Sequence, residues 1–155
     1  MKTILQRVTR ARVVVADETV GEIQHGVLLL VGVERGDTEA DADATADKIA
    51  KLRCFPGATP MDRSLLDVGG GVLVVSQFTL AGSVRKGNRP GFTDAEDPGR
   101  AEELYLRVAE RLRAAGLEVA TGRFRADMAV ELVNDGPITL IVFAREGRIR
   151  EVVHG

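Results

Sequence analysis

Apolar positions follow two rhythms along this chain, alternating or continuous in some stretches and helically spaced in others, and the two rhythms define the predicted elements. Lys2–Val8 and Ala11–Val15 are rich in β-formers, and Thr19–Ile23 resumes the pattern after a turn at Ala16, Asp17 and Glu18. Gln24, His25 and Gly26 make the next turn. Val27–Val33 is then a nearly unbroken apolar run, which predicts a buried central strand. Helical spacing follows. Thr38 is a candidate N-cap with Asp41 three residues on. Glu39, Asp41 and Asp43 sit in the first turns and Lys48, Lys51 and Arg53 in the last, as the helix dipole favours. Ala42, Thr45, Ala46, Ile49 and Leu52 form its inward stripe. Pro56, Gly57 and Pro60 end the element, and Met61–Asp67 reads as a loop or short strand.

Val72–Val75 is a short aliphatic run behind Gly69–Gly71, and it predicts a second buried strand with a flexible glycine lead-in. It delivers Ser76, Gln77, Phe78, Thr79 and Leu80 into a turn at Gly82. Arg85–Phe92 reads as a loop. Asp97 and Pro98 suit the N-cap and first position of a second helix. Its stripe is Ala101, Leu104, Tyr105, Val108, Ala109 and Leu112, with Gly116 just past its end. Leu117–Ala120, Met128–Val133, Ile138–Phe143 and Ile149–Val153 return to strand character. Strands first, two main helices between and strands last predict one α+β or layered α/β domain over residues 1–155.

Composition narrows the function classes. The 155 residues suffice for one core without a metal or disulfide. Cys54 is the single cysteine, so no internal bridge forms and a reducing compartment is expected. With no histidine beside it, Cys54 reads as a small core residue. The net charge of −2, from 21 basic and 23 acidic residues, excludes a surface coated for nucleic acid, so any RNA contact must come from a local basic patch. No apolar run approaches the roughly 20 residues that cross a bilayer. Met1–Arg10 lacks a signal-peptide layout, so the expected place is the cytoplasm, with no membrane partner.

The usual catalytic kits are missing. His25 and His154 are the two histidines, no Ser–His–acid set is visible, and no Cys/His cluster has zinc spacing. The triple glycine lacks the Gly-Lys-Ser/Thr ending of a phosphate loop. No metal and no cofactor are therefore expected. An enzyme built on this chain would work with backbone groups, neutral side chains or the substrate itself. Three stretches carry candidate chemistry. Ser76–Leu80 puts hydrogen-bonding groups at the end of a core strand, where geometry is rigid; the plainer reading is a strand turning polar as it surfaces. Asn134-Asp135-Gly136-Pro137 reads as a hairpin turn between two strands, although Pro137 falls where a strand should begin. Thr121–Met128 reads as a turn with an exposed arginine pair, or as a basic lip with Phe124 and Met128 as an apolar wall. Arg85, Lys86 and Arg89 have the same ambiguity between a solvated loop and a phosphate contact.

Together these stretches resemble the D-aminoacyl-tRNA deacylase family over nearly the whole chain. The resemblance rests on Gln6-Arg7-Val8, Ser76–Leu80, Asn88-Arg89-Pro90 and Asn134–Thr139, in that order and spacing. It implies a layered α/β/β domain with a mostly antiparallel or mixed sheet, acting as a homodimer. The implied reaction is hydrolysis of the ester between a D-amino acid, or glycine, and the tRNA 3′ adenosine. It further implies that Gly136-Pro137 is cis and enters the partner's site, where its carbonyls exclude L-amino acids, and that Arg7 holds this loop. Ser76, Gln77, Phe78 and Thr79 would supply the floor and an oxyanion site. Thr79 is the obvious nucleophile candidate, but no base accompanies it, so it is expected to position substrate. Phe124, Ala126 and Met128 would bind substrate, and Arg85, Lys86, Arg89, Arg123 and Arg125 would meet tRNA phosphates. The chain departs from the family pattern at Arg125, where glycine or alanine is usual, at Gly91 for serine and at Asp62 for asparagine. The competing expectation is a non-catalytic module that binds a tRNA end or a small molecule on the same scaffold.

Overall fold

In the computed structural model, which describes residues 1–151, the first strand is the hub. β1 (Lys2–Val15) pairs antiparallel with β2 (Glu18–Ile23), β3 (Gly26–Gly32) and β6 (Ala129–Arg145). β3 continues in parallel into β4 (Gly71–Ser76), and β4 into β5 (Glu118–Thr121). β7 (Arg148–Arg150) closes the far edge beside β6. The two runs expected at the N-terminus are thus one long strand. The expected strand at Ile149–Val153 is found in part as β7; Val152, Val153 and His154 lie outside the described residues.

Two helices cover one face as expected. In α1 (Glu39–Lys51) the Asp41 carboxylate accepts from the Thr38 N–H at 2.9 Å, closing the first turn. α3 (Pro98–Ala114) begins at Asp97-Pro98 and buries all six residues of its predicted stripe. A third, short helix was not expected. α2 (Leu65–Val68) occupies what reads as a loop or strand, because Ser64 and Asp67 cap each other at 2.9 and 3.2 Å. Gly69 ends that helix in a left-handed conformation, so the glycine run is a helix stop as well as a strand lead-in.

The core has two layers, as a layered α/β/β domain requires. Leu5, Val27, Leu29, Val72 and Val74 meet Ile49, Leu104, Val108 and Leu112 beneath the helices. Val8, Ala11, Val13, Ile23, Leu28, Leu73 and Val75 form a second cluster inside the curl of the sheet. β1 supplies both layers because its pairing with β6 shifts register between Gln6 and Arg10, which flips the faces of the strand.

That register shift corrects the expected hairpin. Asn134–Pro137 is not a turn between strands; it lies inside β6, which runs on through it. Gln6 pairs with Thr139 and Val8 with Asn134, so Arg7 alone stands opposite Asp135, Gly136, Pro137 and Ile138. The surplus residues bulge outward. The Asn134 side chain bridges the bulge: its Oδ1 accepts from the Ile138 N–H at 2.8 Å, and its Nδ2 donates to the Ile138 carbonyl at 3.1 Å. The Gly136-Pro137 peptide is cis.

Candidate active site

The parallel strands β3 and β4 end side by side, and a cavity opens beyond their carboxyl ends, where ligands commonly bind in α/β sheets. Its volume is about 520 Å³. Val75, Ser76, Gln77 and Phe78 form one wall, Ala95, Glu96, Pro98 and Ala101 a second, and Phe124, Arg125, Ala126, Asp127 and Met128 a third. Val33 and Val130 complete the lining. The volume is in the ordinary range for a small-molecule site.

Each wall is fixed from behind. Gln77 N–H donates to the Val31 carbonyl at 2.8 Å, tying the end of β4 to β3. The chain then enters a 3₁₀ turn at Phe78–Ala81, whose first N–H groups, those of Phe78 and Thr79, have no acceptor within the turn. Phe124 stacks on the buried Tyr105 of α3 with ring centroids 5.7 Å apart. The second wall is anchored where Glu96 N–H donates to the Val33 carbonyl at 3.1 Å.

Thr79 does not line the cavity and is exposed. Its Oγ1 accepts a hydrogen bond from Gln77 Nε2, and among the described residues no hydrogen bond joins it to a basic group. An amide donor cannot remove the threonine proton, so the geometry gives no activated nucleophile. Cys54 is no alternative: it is buried, and burial pushes its thiol up.

The structure separates the other expected site residues from the cavity. Arg7 is buried, and its Nε donates to the Asp135 carbonyl at 2.9 Å while Nη1 donates to the Cys54 carbonyl at 2.8 Å. Its Nε also lies 3.4 Å from the Asp135 carboxylate. Arg7 therefore clamps the bulge to the segment after α1. Gly136 and Pro137 themselves are exposed and take no part in the lining. Arg85, Lys86 and Arg89 sit on an exposed loop closed by reciprocal Ser83–Gly91 hydrogen bonds at 2.7 and 2.9 Å. Arg123 is exposed and also outside the lining. Sequence reading missed the wall at Ala95–Ala101 and the carboxylates of Glu96 and Asp127; Asp127, flanked by Ala126 and Met128, was the one with a local signal.

Arg125 has an unusual backbone. Its φ is 64°, and the Ala126 N–H donates back to the Arg123 carbonyl at 3.2 Å. This makes Arg125 the third residue of a tight turn, a place that favours glycine. An arginine there costs on the order of 1 kcal/mol.

Comparison with known proteins decides the family. The model of the D-Tyr-tRNA(Tyr) deacylase family matches residues 4–143. The chain belongs to that family. Among curated members, the D-aminoacyl-tRNA deacylase of Paracoccus denitrificans is 57% identical over 141 residues, covering 90% of this chain and 95% of that protein. That of Symbiobacterium thermophilum is 54% identical over 143 residues, covering 92% and 95%. A solved structure of a c-Myc DNA unwinding element binding protein superposes with a TM-score of 0.87 at 37% identity, over 94% of this chain and 99% of that one. Another, described as "a probable eukaryotic D-amino acid tRNA deacylase", shares the deacylase fold with a TM-score of 0.76 at 19% identity, over 90% and 97%.

Proposed function

We propose that this chain hydrolyses the ester joining a D-amino acid to the 3′ adenosine of tRNA, and that two copies of the chain build each working site. As a member of the deacylase family it is a hydrolase acting on ester bonds. The observation that carries the two-copy reading is the separation of the cavity from the Arg7-held bulge, whose Gly136 and Pro137 face solvent. A loop held this firmly and aimed outward fits a role outside its own chain, over the cavity of a second copy.

In this reading the partner's bulge presents main-chain carbonyls to the substituents on the α-carbon. An L side chain meets them and is rejected; a D side chain points away; glycine has nothing to clash and enters. Because recognition uses only what all D-amino acids share, side-chain tolerance is broad. The aminoacyl ester is already activated. Backbone donors such as the Phe78 and Thr79 N–H groups stabilise the oxyanion, each worth about 10²–10³ in rate. Water attacks the carbonyl carbon, and the ribose 2′-hydroxyl relays its proton to the departing 3′ oxygen. Gln77, which lines the cavity, positions the substrate, and Thr79 acts through it by accepting the Gln77 amide hydrogen bond. Arg85, Lys86 and Arg89, with Arg123 and Arg125, meet the acceptor-end phosphates.

The test is a paired assay of D-tyrosyl-tRNA and L-tyrosyl-tRNA with and without EDTA. The expected result is chelator-insensitive hydrolysis of the D-ester at least about 100-fold faster than the L-ester, a difference of roughly 2.7 kcal/mol. Comparable D and L rates would end the chirality claim. Binding without hydrolysis would favour the non-catalytic module instead.

A further inference from the structure

We propose that Arg125 is the residue that fixes the depth of the tRNA end in the cavity, by binding the first backbone phosphate beyond the terminal nucleoside. The inference rests on the proposed function and deepens it. Three observations carry it. Arg125 lines the cavity and is exposed, which puts the residue at the mouth. It joins none of the ion pairs found among the described residues, so its charge is unspent. Its backbone is held left-handed, with φ at 64°, in a turn whose third position favours glycine, and an unfavourable residue at a cavity mouth points to function.

The charges around the cavity select the ligand chemistry. The other ionisable residues of its lining are Glu96 and Asp127, both carboxylates. They disfavour an anion deep in the cavity and suit a neutral nucleoside carrying an ammonium group. The nearest anionic group of such a substrate is the phosphate following the nucleoside, which meets the cation at the mouth. The rigid fork of arginine matches a phosphate bidentately. Arg85, Lys86 and Arg89 lie outside the lining and cannot set this depth. A carboxylate on a D-aspartyl side chain offers similar chemistry, and the test separates the two.

The test compares the wild type with Arg125→Gly and Arg125→Lys on D-tyrosyl-tRNA, D-aspartyl-tRNA and the phosphate-free ester 3′-O-(D-tyrosyl)adenosine. Arg125→Gly should raise KM about fivefold on both tRNAs with kcat within about twofold, and should flatten the salt dependence by about 0.7 of a log unit per log unit. The adenosine ester should lose clearly less than either tRNA does, and Arg125→Lys should recover part of the loss on tRNA. Glycine suits the turn, so Tm should hold. Equal losses on tRNA and adenosine esters, no change on tRNA, or a loss confined to D-aspartyl-tRNA would each overturn the phosphate assignment alone. Failure of the wild type to hydrolyse any of the three would overturn the proposed function with it.

Discussion

The end of β4 and the bulge of β6 are both places where backbone polarity is concentrated, but they are built in opposite ways. At the end of β4 the strand is buried through Val75, and the polar residues that follow face a cavity of the same chain. At the bulge the strand carries a surplus of residues outward, and the fixing groups, Arg7 and Asn134, sit behind it. The first arrangement holds a ligand from within. The second holds a piece of main chain steady for something outside. Rigidity without local use is what the proposed service to a neighbouring copy requires.

Breaking the clamp should have the largest effect. Arg7→Ala strands the Asp135 and Cys54 carbonyls, which now accept at 2.9 and 2.8 Å. Loss of hydrogen bonds to a buried charged group costs about 2–4 kcal/mol in urea unfolding. Hydrolysis should fall about 100-fold because the bulge loses its fixed position. Gly136→Ala attacks the bulge itself: an added Cβ would lie 2.7 Å from Ile138 Cγ1 and 2.8 Å from the Ile138 nitrogen, at a φ of 143° that side chains rarely adopt. The loop must shift, so D-ester hydrolysis should drop about 10- to 100-fold at a stability cost of about 1–3 kcal/mol. Thr79→Ala sharpens the cavity side of the comparison. A positioning role predicts a loss within about tenfold; complete loss of hydrolysis with tRNA binding intact would make Thr79 the nucleophile.

The smallest effect belongs to the exposed ion pairs between two helices. α1 and α3 are joined by Arg107–Asp43 contacts at 2.8 and 2.9 Å and Arg111–Asp47 contacts at 2.8 and 3.0 Å. Hydrogen bonds from these arginines hold both carboxyls below their usual range, and the Arg100 hydrogen bond lowers that of Glu39 to about 2. Groups lowered on folding stabilise the protein above their ordinary value, 4.5 for Glu39, and that contribution is lost as pH falls towards about 2. The urea midpoint should therefore slip slightly across that window, and Arg107→Gln should flatten part of the slip. These pairs are exposed, so salt should shrink the effect.

Much of this was legible in the sequence because local rules and tertiary packing agree. The stripe of α3, the Asp97-Pro98 start and the buried runs of β3 and β4 all follow from spacing and capping. The short helix at Leu65–Val68 was legible too, since Ser64 and Asp67 have capping-box spacing, but a single turn leaves no periodicity to notice. The bulge was not legible from its residues. Asn-Asp-Gly-Pro has turn chemistry, and what overrides it is a non-local partner, β1, whose Arg7 lies more than a hundred residues away in the chain. The cavity was half legible: Ser76–Phe78 and Phe124–Met128 stand out locally, whereas Ala95–Ala101 joins the site only through its pairing with the end of β3.

Subunit complementation tests the composite site most directly. Gly136→Ala disables the bulge, and Ala126→Trp fills the cavity, so each variant alone should keep about a tenth of wild-type hydrolysis or less. Co-expressed as a mixed population, half the dimers of a two-fold assembly are hybrids with one intact site of two, so about a quarter of wild-type D-tyrosyl-tRNA hydrolysis should return. A mixture no more active than the separate variants would contradict the account, because each chain would then carry its cavity and its bulge for the same site.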